Sequence, residues 1–148
     1  MNNKNKPTIA ISGCLLGQNI RYNLGHTEDK WIVNTLSQFV NFVPFCPEME
    51  MGLGVPREEI GLNKRDDGKI VLKGKKSNKD ITNLALKTYK DINYKLNKQN
   101  INGFIMMKKS PSCGLTNIKA FSEKKKLPVD VGKGFFAKHL TESYIDTP

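Results

Sequence analysis

The hydrophobic and polar positions along the chain alternate between two periods. Thr8-Ile9-Ala10-Ile11-Ser12 is a short apolar run closed by Gly13, and it predicts a first buried strand. From Glu28 to Phe39 the residues Trp31, Ile32, Thr35, Leu36 and Phe39 recur at helical spacing, with His26 or Thr27 near the start, and predict a helix. Phe42-Val43-Pro44-Phe45 predicts a second strand, although an internal proline removes a donor from any ladder it joins. A loop punctuated by Gly and Pro then runs from Cys46 to Arg57.

In the second half, Glu59-Ile60-Gly61-Leu62 and Lys69-Ile70-Val71-Leu72 flank Asp67-Gly68 and predict an antiparallel hairpin inserted at the surface. Ile81, Leu84, Ala85, Thr88, Ile92 and Leu96 mark one face of a long helix over Asp80–Gln99, with Asp80 as its cap. Gly103 to Met107 predicts another buried strand, and Phe135 to Leu140 opens a last helix. The segment from Lys119 to Pro128 reads as the most loop-like piece. Strands alternating with helices predict an α/β fold: a single-layer, mainly parallel sheet flanked by helices, Rossmann-like, with the hairpin as an insertion. Its 148 residues fit one domain, residues 1–148, with residues 1–7 expected to be flexible.

Composition changes this picture little. At 38% hydrophobic and 26% charged the chain is that of a soluble globular protein. No apolar run approaches the roughly 18–20 residues that span a bilayer, and the N-terminus does not read as a signal peptide. A cytoplasmic location and no membrane partner are therefore expected. The net charge of +10 favours anions in general. Its lysines, however, are scattered among Asn without the aromatic platforms that bind single strands.

The chemistry lies with three cysteines. Cys14, Cys46 and Cys113 each follow a predicted strand, and in a parallel sheet all the strand carboxyl ends lie along one edge. Three thiols distant in sequence are thus expected to converge. One of them alone reads best as a small buried hydrophobe, but three at strand ends in turn-rich loops read as a soft-metal site. Thiolates select zinc, copper(I) or iron–sulfur clusters. Closed zinc sites and iron–sulfur clusters usually use four protein ligands, so three imply an incomplete shell. Glu48, fixed behind Pro47, and Ser110, three residues before Cys113, fall near the same edge.

Five ordered motifs then agree with one family. Ser12-Gly13-Cys14-Leu15-Leu16-Gly17, Arg21-Tyr22, Cys46-Pro47-Glu48, Gly52-Leu53-Gly54-Val55-Pro56-Arg57 and Ser110-Pro111-Ser112-Cys113-Gly114 together resemble the thiouracil desulfidase (TudS-like) family. The likeness runs from about Thr8 to Leu140. It implies a [4Fe–4S] cluster held by Cys14, Cys46 and Cys113, with one iron open to the sulfur of a thiolated pyrimidine. It also implies non-redox replacement of that sulfur by oxygen, with Glu48 and Ser110 as the catalytic pair. The substrate expected is a small thiopyrimidine or thionucleotide, with thiolated RNA as a further candidate.

Arg21 and Arg57 are candidate substrate-binding residues, because a guanidinium fork suits a carbonyl or phosphate; Ser112 is a third, although its hydroxyl, like that of Ser110, equally suits a turn or helix cap. For the two arginines a loop-stabilising pair with Glu28 or Glu58 is the structural alternative. The chain departs from the family pattern at Asn23-Leu24-Gly25, Met49-Glu50-Met51 and Glu58-Glu59, which bears on substrate choice. Two other readings compete. One is a cysteine-ligated zinc domain with a basic RNA-binding surface. The other is a metal-free thiol enzyme, for which neither His26 nor His139 is obviously placed.

Overall fold

The structure, a computed structural model, describes residues 5–148. Expectations for the first four residues lie outside it; of the remainder of the 1–7 segment, the Pro7 carbonyl accepts the Asn41 N–H at 2.8 Å.

Among the described residues seven strands form two sheets, where a single layer was predicted. β1 (Thr8–Ser12) is the centre of a three-stranded parallel sheet, between β2 (Asn41–Phe45) and β5 (Gly103–Ile105). Its register pairs Ser12 with Phe45 on one side and Ile11 with Ile105 on the other. Pro44 is tolerated because β2 is an edge strand and Pro44 itself is exposed.

The second sheet has the order β4-β3-β6-β7, with β3 (Ile60–Lys64), β4 (Ile70–Gly74), β6 (Ile118–Ser122) and β7 (Leu127–Gly132). β3 and β4 are the hairpin turning at Asp67-Gly68, where Gly68 takes a φ of 85° and Asp67 accepts the Lys69 N–H. This hairpin is half of a sheet rather than a surface insertion, because Ile60, Leu62 and Leu72 are buried in the main core. The Lys119–Pro128 segment, expected to be a loop, supplies most of β6 and the start of β7. The strand signal was masked because the buried positions of its strict alternation, Ala120 and Ser122, are small, while Lys119 and Phe121 face out.

The long helix is α3 (Thr82–Asn97), following the short α1 (Lys30–Asn34) and α2 (Pro47–Glu50). Asp80 accepts the Thr82 N–H at its start. Its buried face is Ala85, Thr88, Tyr89, Ile92 and Leu96; Leu84 is turned outward, and Tyr89 takes its place inside. The predicted 28–39 helix is reduced to α1 and a single 3-10 turn, Leu36–Gln38. Of its expected apolar face only Ile32 is buried, whereas Trp31 and Phe39 are exposed.

α4 (Phe135–Ser143) closes the core. Phe136 lies 5.5 Å from Phe45 and 4.9 Å from Tyr89, centroid to centroid, in tilted contacts. Pairs of this kind add about 0.5–1.5 kcal/mol beyond the burial itself. One core thus joins the parallel sheet to α3, α4 and the second sheet.

Candidate functional site

β1, β2 and β5 point their carboxyl ends the same way, and the chain leaves each of them into a loop bearing one cysteine. After Ser12 a 3-10 turn, Gly13–Leu16, carries Cys14, and Gly17 ends it in the left-handed region. After Phe45, Cys46 precedes α2, with Pro47 in the first helical turn, where its missing N–H costs nothing. After β5 the chain passes Met107 to a tight turn that holds Cys113.

That last turn is anchored twice. Ser110 Oγ accepts the backbone N–H groups of Ser112 and Cys113 at 3.1 and 3.0 Å. The amides of Gly134, Phe135 and Ala137 donate to the carbonyls of Gly114, Pro111 and Ser112 at 2.7–2.9 Å. The start of α4 therefore satisfies its own orphan donors on the cysteine loop. Gly134 is required there, since a Cβ would come within 2.7–2.8 Å of two loop carbonyl oxygens.

All three cysteines line one cavity of about 360 Å³, together with Glu48, Ser110, Arg21 and Arg57. The convergence predicted from strand order is what the fold delivers. None of the thiols is in a disulfide. Burial pushes the Cys46 thiol up, while the backbone N–H groups of Met49 and Glu48 partly offset it. Cys113 is driven well above the ordinary thiol range, first by burial and then by the charges of Cys46, Glu48 and Cys14; only the Ser12 hydroxyl acts in its favour. A cationic group bound among these thiols would favour their thiolate forms and release protons on binding.

Among the described residues no group of three or more His, Cys, Asp or Glu side chains is arranged to hold a metal ion. The donor chemistry, three soft thiols lining one cavity, suits an iron–sulfur cluster.

Glu48, on the first turn of α2, is held on both oxygens. Arg57 Nε lies 3.3 Å from Oε1, and Ser112 Oγ donates to Oε2 at 3.4 Å. The rest of the Arg57 guanidinium donates to the carbonyls of Gly54 and Ile20, each at 2.8 Å, and to Met49 sulfur. Its side chain is only 5% exposed. Arg57 is thus a clamp on Glu48 and two loops. Of the pairing partners proposed from sequence, Glu58 accepts instead from the Lys76 and Ser77 N–H groups and the Ser77 hydroxyl, and among the described residues Arg57 is paired with Glu48 rather than Glu28.

Ser112 is fully buried behind Glu48 and is not on the cavity wall. Arg21 is on that wall, beside the Tyr22 ring.

Sequence reasoning assigned no role to Ser12 or Tyr89. The signal for Ser12 was its place in the Ser12-Gly13-Cys14 motif; for Tyr89 there was none beyond helical periodicity. Tyr89 is wholly buried, and its hydroxyl, turned toward Ser112, Cys113 and Glu48, has no hydrogen-bond partner among the described residues.

Fold and site together define an α/β protein with a three-thiol cavity at the carboxyl edge of a parallel sheet. The 2-thiouracil desulfurase family model matches residues 9–148, and the chain belongs to that family. Among solved structures it is similar to a [4Fe–4S]-dependent thiouracil desulfidase, TudS, with 22% identity and a TM-score of 0.68, over 94% of this chain and 87% of that one. No curated protein matches it.

Proposed function

We propose that the protein removes sulfur from a thiolated pyrimidine, giving the oxo pyrimidine and hydrogen sulfide with no net electron transfer. The observation that carries this reading is the single cavity lined by Cys14, Cys46, Cys113, Glu48 and Ser110 in a chain of this family.

Cys14, Cys46 and Cys113 would hold a [4Fe–4S] cluster. When bound, it supplies a Lewis-acidic iron for the substrate's sulfur. Glu48 is the base that takes a proton from the attacking water, fixed in place by Arg57 and Ser112. Ser110 Oγ already accepts two N–H groups, so its own proton is left to donate to a ring oxygen or nitrogen. Arg21 is the arginine left to meet the substrate. Arg57 and Ser112, assigned to substrate from sequence, act in this reading by positioning Glu48.

Arg21, Lys108 and Lys109 on the cavity wall suit an anionic substituent on the substrate. This reading places the protein in the cytoplasm, where thiols stay reduced.

The test is anaerobic reconstitution followed by a thiouracil challenge. About four irons and four sulfides per chain are expected, with loss of the thione absorbance and release of sulfide. A colourless protein that leaves thiouracil unchanged overturns the reading. Glu48→Gln should keep its iron and lose about 10²–10⁴ in turnover; loss of iron instead would make Glu48 a ligand or scaffold residue.

A further inference from the structure

The second sheet turns one face to the core and the other outward. Ile60, Leu62, Leu72 and Ala120 are buried in the core, so strand alternation puts Gly61, Lys73, Lys119 and Phe121 on the outer face. The registers set Gly61 beside Lys73 and Asn63 beside Phe121. A groove of about 540 Å³ lies over this face. Among the described residues its wall carries Lys73, Lys75, Lys109 and Lys119 and no Asp or Glu. Phe121, 43% exposed, lies among them. A Cβ at Gly61 would come within 3.2 Å of Lys75 Cε, so the glycine is what lets that lysine lie across the sheet.

Ile60, Lys75, Lys109 and Pro111 also line the cysteine cavity, so the groove and the cavity adjoin along one rim. Lys109 stands on that rim with a φ of 60°, and its ammonium has no partner among the described residues. The other three lysines pair with Glu123, Glu59 and Asp130 at 3.9, 2.7 and 3.3 Å. Pairs near the surface are weak enough for a phosphate to take the carboxylate's place.

We propose that this groove binds a single-stranded nucleic-acid segment, so that the thiolated pyrimidine enters the cysteine cavity as part of a strand. The inference rests on the desulfuration reading above. The lysines meet backbone phosphates, and Phe121 offers a face on which a base stacks. Asn63 and Asn117, on the same wall, add amide donors and acceptors that suit base edges. An acidic peptide would use the lysines alone. Lysines that look scattered in the sequence are gathered here by the pairing of β3 with β4 and β6.

The test uses the reconstituted enzyme with three probes: a fluorescent oligouridylate, the same strand carrying one 2-thiouridine, and free 2-thiouracil. Anisotropy should show binding that weakens with salt, with a log–log slope of about −2 for three lysine contacts to a single strand. Lys73→Ala and Lys119→Ala should each make that slope shallower by about 0.7. Phe121→Ser should weaken binding about fivefold or more and leave the slope unchanged. In all three variants kcat/KM for the thiolated strand should fall, while free 2-thiouracil, which needs only the cysteine cavity, is turned over as in wild type.

No binding at low salt, or variants that bind as wild type does, overturns the proposal. An oligoglutamate that competes as well as the unlabelled strand also overturns it, and assigns the face to an acidic peptide. Should a variant fail to fold, the wild-type salt slope and that competition decide. A wild type that desulfurates free 2-thiouracil but not the strand overturns this inference alone. One that releases sulfide from neither fails the desulfuration reading, and the inference falls with it.

Discussion

The two sheets of this protein divide its labour unevenly. The three parallel strands β1, β2 and β5 are short and pack into a shared core, yet their carboxyl ends carry all three cysteines, with Glu48 and Ser110 in the loops that follow. The four-stranded sheet is larger and contributes Ile60, with the Glu59–Lys75 pair just beyond its strand ends, to one side of the cavity wall, but none of the cysteines. Topology explains the difference. Parallel strands bring distant loops to one edge, whereas antiparallel hairpins such as β3–β4 and β6–β7 send successive loops to opposite ends.

The contrast is sharpest if each cysteine is removed in turn. Cys14→Ala, Cys46→Ala and Cys113→Ala should each lose cluster iron and reduce desulfuration below detection, measured by iron content and sulfide release. Phe121→Ser and Lys119→Ala, on the outer face of the second sheet, should leave both unchanged and shift stability by only about 0.5 kcal/mol. If one cysteine variant alone loses activity while iron is retained, the thiol-enzyme reading replaces the cluster reading.

Arg57 tests whether the first region depends on its loops being clamped. Its guanidinium is nearly enclosed and makes the Glu48 pair. Arg57→Met leaves that carboxylate without its cation and frees two carbonyls, which should cost about 3 kcal/mol. Urea unfolding reads the stability, and sulfide release should fall with it, because Glu48 loses its orientation. Full activity in a folded Arg57→Met protein would show that Ser112 alone positions Glu48.

Much of this arrangement was legible in the chain. The strand-end cysteines follow from apolar runs ending in loops, and a reader who orders the strands in parallel obtains their convergence without coordinates. The second sheet was not legible as such. β6 buries Ala120 and Ser122, whose small side chains give almost no hydrophobic signal, and the lysines on either side read as solvent-exposed loop. The first helix failed in the opposite sense. Trp31 and Phe39 have helical spacing, but the segment meets only enough core to bury Ile32, so the pattern overstated the element. Partners of long polar side chains were equally hidden: the Arg57–Glu48 pair depends on how two loops meet, which no spacing encodes.

Tyr89 lies where the core meets the site, and it offers a smaller effect of opposite sign. Its ring is packed against Phe135, Phe136 and His139, while its hydroxyl has no partner among the described residues. Tyr89→Phe keeps the packing and removes a buried polar group, so stability should be unchanged or rise by about 1 kcal/mol. A thermal melt checks this. A loss of stability would mean that the hydroxyl is bonded in solution, to Ser112 or through a water.

His139 gives the mildest test, and it concerns the core away from the cysteines. Burial lowers its pKa below the ordinary 6.5, the nearby Lys90 charge acts in the same direction, and Glu142 opposes them. Its Nε2 is buried, has no hydrogen-bond partner among the described residues, and lies in a ring that packs against Tyr89. Just below pH 6.5 the unfolded chain therefore binds more protons at this site than the folded one. Its contribution to stability is complete above about pH 6.5 and is lost as pH falls through the lowered folded value. Urea midpoints at pH 7.5, 6.5 and 5.5 should decline in that order. Replacing the imidazole with a group that does not titrate, as in His139→Gln, should flatten that decline while leaving cluster iron and sulfide release as in wild type. An equal decline in the variant would assign the pH dependence to the cysteine edge instead, and would tie the two regions together more closely than their packing suggests.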